Sequence, residues 1–165
     1  MRAVDARTTY RIRPGGPEDV AFMRDMLYEA FYWRPEDPKP PKEEIFSLPE
    51  FAHYLEGWGR PGNASVVALN PRDGEKIGAA WYRLMTPGDP AYGFVDTATP
   101  EVSIAVSPEY RGAGVGEALL RALVQTAHVE GFEALTLASR REMRRSRSTS
   151  VPVSGSFVFR RASGP

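Results

Sequence analysis

The sequence contains no cysteine and only two histidines, His53 and His128. The first absence excludes disulfides and thiolate metal sites, and it suits a cytoplasmic home. The second leaves no histidine cluster for a metal, so both are read as structural or solvent-facing residues. No run of 18 apolar residues occurs. The opening "MRAVDARTTYRIRP" lacks the apolar core of a secretory signal. Neither a bound metal nor a membrane partner is therefore expected. Lysine is scarce as well, three residues against eighteen arginines, which fits a GC-rich coding sequence better than a selected basic patch.

Net charge is also absent, with 21 basic and 21 acidic side chains, but the balance is uneven along the chain. Residues 1–137 carry 14 basic and 20 acidic groups, whereas residues 138–165 carry seven arginines and one glutamate. With 165 residues, 42% hydrophobic and 25% charged, the chain suits one globular domain with a sizeable core.

"TYRIRP" (9–14) alternates and predicts a first strand. "GGPEDVAFMRDMLYEAFYW" predicts a helix opening on Pro17, Glu18 and Asp19, with Val20, Met23, Leu27, Ala30 and Phe31 as its apolar stripe. "RPEDPKPPKE" (34–43) holds four prolines and reads as a loop. A short helix is expected around "PEFAHYLEGW". "ASVVALN", the turn "PRDG" and "EKIGAAWYRLM" then read as strand, turn, strand. After a loop from Pro87 to Ala98 come the strand "PEVSIAVSP", the helix "GVGEALLRALVQTAHVEG" and the strand "FEALTLA". The order βααββ followed by βαβ predicts an α+β (mixed α/β) domain. Its sheet should be mostly antiparallel, with one parallel pair joined by a right-handed crossover.

The chemistry lies in "PEYRGAGVGEALLRALV" (108–124), which packs three glycines into five residues between a strand and a helix. Gly112, Gly114 and Gly116 permit left-handed backbone and close approach to a ligand. The first turn of the helix has N–H groups with no internal partner, and with the helix dipole these suit a phosphate. Arg111 stands at the loop mouth, able to add a charge-assisted bond. A P-loop is excluded because no lysine follows the glycines, and "GAGVGE" breaks the dinucleotide fingerprint with a glutamate. The G-x-S-x-G elbow is absent too.

What remains, R-x-x-G-x-G at Arg111, Gly114 and Gly116, resembles motif A of the GCN5-related N-acetyltransferases. The preceding strand, the Pro-Glu-Tyr-Arg approach and the following helix match in order, as does the element order over residues 9–137. The resemblance implies that the domain spans 9–137 after a flexible stretch 1–8, with helices flanking the sheet. It implies acetyl-CoA as acyl donor, with the strand backbone at Ile104, Ala105 and Val106 pairing the pantetheine arm. The backbone of Arg111, Gly112, Ala113, Gly114, Val115, Gly116 and Glu117 would hold the pyrophosphate. A small-molecule or peptide amine would attack the thioester directly. That attack needs a base, for which Glu101 at the strand's start is the candidate, directly or through a water. The other reading of Glu101 is a solvent-facing residue at a strand end. Tyr28, Tyr32 and Trp33 fall where the family lines its acceptor side, and core packing is the alternative for them. Homodimers are frequent in that family, so a homodimer is a further expectation.

The family's next helix should follow "FEALTLA", with an asparagine, Leu-Tyr and Gly-Phe. The chain instead reads "SRREMRRSRSTSVPVSGSFVFRRASGP", with no amphipathic helical pattern. Read one base out of register, an allowed choice of synonymous codons from Ala138 to Phe157 yields "VEAGNAAVALYERAGFRVV", which restores that pattern. A frameshift near Leu137 or Ala138, in the gene or its sequencing, is the expectation. The family's last helix and strands would then be missing or disordered in 138–165. A basic tail for nucleic acid or membrane, and a plain disordered terminus, are the rival readings, and no nucleic-acid partner is expected. An acyl-CoA-binding protein without turnover is the other alternative to catalysis.

Overall fold

The computed structural model describes residues 10–32, 36, 38–88 and 96–137, with the backbone of 157–160. Trp33, the stretch 1–8 and the remainder of 138–165, including the shifted-frame reading, lie outside the described residues.

Strand β1 (Arg11–Pro14) leads through a one-turn 3-10 helix (Pro17–Asp19) into helix α1 (Val20–Phe31). Two short helices follow, α2 (Lys42–Phe46) and α3 (Pro49–Ala52), the latter much shorter than the segment read as helical. Strands β2 (Asn63–Leu69) and β3 (Lys76–Arg83) flank the expected turn, and β4 (Glu101–Val106) leads into helix α4 (Val115–Val129) and strand β5 (Ala134–Leu137). Strand β6 (Phe157–Arg160) comes from the arginine-rich tail, where the sequence suggested no element.

The sheet order is β1-β2-β3-β4-β5-β6. Every neighbouring pair is antiparallel except β4–β5, which is parallel and joined by α4. This is the predicted α+β domain with its single crossover.

Helices cover both faces of the sheet. On one, Val115, Leu119, Leu123 and Ala127 of α4 pack on Val66, Ala68, Ala80, Tyr82 and Val102. On the other, Met23, Met26 and Leu27 of α1 pack on Val67, Ala79, Trp81 and Ala105. Each valine, leucine or methionine among them contributes about 1.5–3 kcal/mol when fully buried. Covering on both sides explains why β3 reads as a continuous apolar run rather than an alternation. Gly78 makes room for Leu119 of α4: a Cβ there would lie 3.1 Å from both the Ala105 carbonyl oxygen and Leu119 Cδ1.

Asp19 fastens the first helix to the sheet. Its fully buried carboxylate accepts from Arg13 at 2.8 and 2.9 Å, from Lys76 at 2.8 Å and from the Gly16 amide at 2.9 Å. Arg13, above all, holds its carboxyl far below the usual carboxylate range. The helix dipole favours an acid at this position but does not account for the two cations that meet it.

Candidate functional site

The glycine loop leaves β4 through a one-turn 3-10 helix at Pro108–Tyr110 and becomes α4 at Val115. Gly112 has φ +80° and Gly114 has φ +83°, both left-handed, and Gly114 is the residue that opens α4. A side chain at either would strain the backbone whatever the space around it. Gly116 differs from the expectation: it lies inside α4 and needs no left-handed backbone.

No side chain caps α4, and its first internal bond runs from the Ala118 amide to the Gly114 carbonyl at 3.1 Å. Among the described residues, the amides of Gly112 to Glu117 have no protein partner. Six consecutive donors thus surround the positive end of a four-turn helix, and the arrangement suits a diphosphate.

Three side chains hold this loop from three directions. The Tyr10 hydroxyl donates to the Gly114 carbonyl at 3.1 Å. Tyr110 meets the β2–β3 turn, accepting from Asn70 and donating to Glu75, each at 3.3 Å. Arg111 donates through Nε to the Val106 carbonyl at 3.0 Å and pairs with Glu29 of α1 at 3.2 Å. Glu117, named from the sequence for its amide, turns its carboxylate to Arg121 at 2.6 Å.

The register of β4 sorts its backbone groups. The Ser107 amide donates to the Ile77 carbonyl, so odd-numbered residues bond towards β3 and even-numbered ones face the β5 side. The Thr136 amide, donating to the Pro100 carbonyl at 2.9 Å, obeys the same parity. Ile104 and Val106 therefore present backbone groups on the β5 side, while Ala105 is turned to β3. Among the described residues, β4 pairs with β5 at Glu101–Thr136 and Val102–Leu137.

Glu101 is not the exposed strand-end residue of the alternative reading. It is 2% exposed and stands directly across the ladder from Arg83, which is 1% exposed. Arg83 in turn donates to the His53 carbonyl at 3.0 Å and to the Glu56 carbonyl, closing the segment after α3 over this end of the sheet. Arg83 was not singled out in the sequence, because only the strand register sets it opposite Glu101. Beside this pair, Ser65, Trp81 and Ser103 form a second row across three strands. Ser65 Oγ and Trp81 Nε1 are buried and have no hydrogen-bond partner among the described residues.

Of the aromatic residues expected on the acceptor side, Tyr28 is a core residue. It is buried, donates its hydroxyl to the Pro40 carbonyl at 2.7 Å, and carries the Lys42 ammonium 5.5 Å from its ring centre. Burial pushes its phenol pKa up. Tyr32 is half-buried, its ring centre 5.0 Å from that of Tyr28. Among the described residues, no group of three or more His, Cys, Asp or Glu is placed to hold a metal, and no helix is long and apolar enough to cross a membrane.

A mixed sheet with one parallel pair, joined by a helix that opens on six amides without a partner among the described residues, defines an α+β domain whose loop suits an anion. The model of the acetyltransferase (GNAT) family matches residues 21–148, and the chain belongs to that family. Solved structures agree in fold. A GNAT family acetyltransferase from Brucella melitensis, in complex with acetyl-CoA, matches with TM-score 0.57 and 18% identity over 96% of this chain and 91% of its own. A GNAT superfamily phosphinothricin acetyltransferase from Sinorhizobium meliloti, in complex with AcCoA, matches with TM-score 0.54 and 25% identity over 84% and 72%. The chain also covers 14% of a fungal multi-domain GH3 beta-N-acetylglucosaminidase that contains a GCN5-related glucosamine N-acetyltransferase region, with TM-score 0.53 and 20% identity over 82% of this chain. No curated protein matches the chain in sequence.

Proposed function

We propose that the protein moves an acetyl group from acetyl-CoA to a primary amine of a small molecule or peptide. One observation carries the reading: the six amides of Gly112 to Glu117, shaped by two left-handed glycines, have no protein partner among the described residues. Donors left open at a helix N-terminus suit the coenzyme's diphosphate. The acetyl-CoA complexes of the Brucella and Sinorhizobium relatives support that ligand. Ile104, whose backbone faces the β5 side of β4, is the residue best oriented to pair with the pantetheine arm.

For the acceptor, the α1 side of the sheet supplies the polar groups. The amine nitrogen attacks the thioester carbonyl carbon and the sulfur departs as the thiolate. The ammonium proton must leave before attack, and Glu101 is the group we assign to receive it, directly or through a water. The fungal relative's glucosamine N-acetyltransferase region supports an amine as acceptor.

Calorimetric titration with acetyl-CoA, followed by a thiol-release assay over polyamines, aminoglycosides, amino acids and peptides, tests the reading. Gly114→Val should abolish coenzyme binding, since φ +83° is strained for a branched side chain whose Cβ would also lie 3.4 Å from the Tyr10 hydroxyl. Unchanged affinity in that variant refutes the loop assignment. A second reading, acyl-CoA binding without turnover, is favoured by the sequence after Leu137, which lacks the family's asparagine and Leu-Tyr. Binding without thiol release on any amine would select it.

A further inference from the structure

We propose that Arg111 is a positioning residue that braces the glycine loop against α1, and that the backbone amides alone grip the diphosphate. The inference rests on the coenzyme reading above and concerns how the loop is kept in shape. Arginine at the mouth of an anion site would ordinarily be assigned to the anion. Here its fork is already engaged at both ends. Nε donates to the Val106 carbonyl, the last carbonyl of β4, at 3.0 Å. One terminal nitrogen reaches the Glu29 carboxylate at 3.2 Å, across 82 positions of sequence. The side chains of Arg111 and Glu29 are 32% and 19% exposed, so the pair is largely shielded from water.

Each contact fixes something the loop needs. The bond to Val106 holds the end of β4 against the loop's first residue, so the chain leaves the strand at one angle. The ion pair ties the loop to the helix that covers the polar face of the sheet. A phosphate that recruited Arg111 would have to strip Glu29 of its cation and leave a half-buried carboxylate beside a polyanion. The other arginine near the helix start, Arg121, is paired with Glu117 at 2.6 Å. Loop geometry therefore depends on Glu29, a residue remote in sequence from the motif it supports.

The test is a double-mutant cycle read by calorimetric acetyl-CoA affinity. Glu29→Gln and Arg111→Gln should each weaken binding about tenfold, and the double variant should be no weaker than either, as expected for residues acting as one unit. Arg111→Lys should fail like Arg111→Gln, because an ammonium keeps the charge but cannot span both partners. Asp25→Asn removes another α1 carboxylate, one paired with Lys42 at 3.0 Å and away from the loop, and should leave affinity unchanged. Tighter or unaltered binding in Glu29→Gln, multiplicative losses in the double variant, or full rescue by lysine would make Arg111 a phosphate ligand and overturn the brace. If the unmodified protein bound no acetyl-CoA, the functional reading would fall by itself. The brace would then be judged by backbone order parameters of Gly112 and Gly114 in the free protein. These should drop in Glu29→Gln and Arg111→Gln, and unchanged values would refute it.

Discussion

The two faces of the sheet are built from different materials. Beneath α4, the covered residues of β2, β3 and β4 are apolar, and the polar exception is Tyr82, whose hydroxyl donates to Glu130 at the end of α4. None of the six buried polar or charged residues found among the described ones, Asp19, Ser65, Arg83, Glu101, Ser103 and Thr136, belongs to that apolar seam. Asp19 caps α1, and Ser65, Arg83, Glu101, Ser103 and Thr136 share the paired rows of the opposite face. Burying such groups costs free energy unless they are satisfied. A face that keeps them is therefore poor material for stability alone. The contrast gives the α4 side an apolar seam, and it gives the α1 side the buried polar groups on which the proposed acceptor chemistry draws.

Four substitutions can break or sharpen this division. Glu101→Gln should show the largest effect, a loss of about 10²–10⁴ in turnover with coenzyme affinity unchanged, if the carboxylate is the base. Equal rates in the variant and the parent would move proton transfer elsewhere. Leu119→Ala, on the opposite face, should lower unfolding free energy by about 2–5 kcal/mol, read by denaturant titration, with the remaining folded fraction still binding acetyl-CoA. Asp19→Asn should cost about 1.5–3 kcal/mol at neutral pH, the range for hydrogen bonds to charged groups. That cost has a pH signature. The folded protein keeps Asp19 ionised below the unfolded carboxylate value of about 3.9, so its contribution is full at neutral pH and is lost as pH falls below about 4. The gap in melting temperature between parent and variant should shrink accordingly at pH 3. Ser65→Ala, the smallest effect, should raise stability by about 1 kcal/mol. It removes a buried hydroxyl that has no partner among the described residues. Destabilisation there would show that the polar face is bonded in a way the alternation of strands does not reveal.

The parts legible in the sequence were those governed by local rules. The left-handed Gly112 and Gly114, the span of α4 and the turn at 71–74 all depend on neighbours within a few positions and stand where expected, whereas Gly116 falls inside the helix. The stripe of α1 was read less well. Met26 and Tyr28 are also buried, because α2 and α3 cover a second side of the helix. Arg83 opposite Glu101, Glu29 on Arg111 and Asp19 between Arg13 and Lys76 are contacts across strands or between distant elements. No periodicity announces them, since each needs the register of the whole sheet. Strand β6 was missed for a related reason: "FVFR" is short and sits in an arginine- and serine-rich context, and its pairing with β5 is a tertiary fact.

The hydroxyl of Tyr10 closes on Gly114 across 104 positions of sequence. On the ribosome, the phenol is made long before the glycine it must meet, so this contact cannot form until the chain has grown past Gly114. Proteolytic trimming that took away the first strand would leave the motif's letters intact and its shape unsupported. Fusion partners are therefore safer away from that end of the chain.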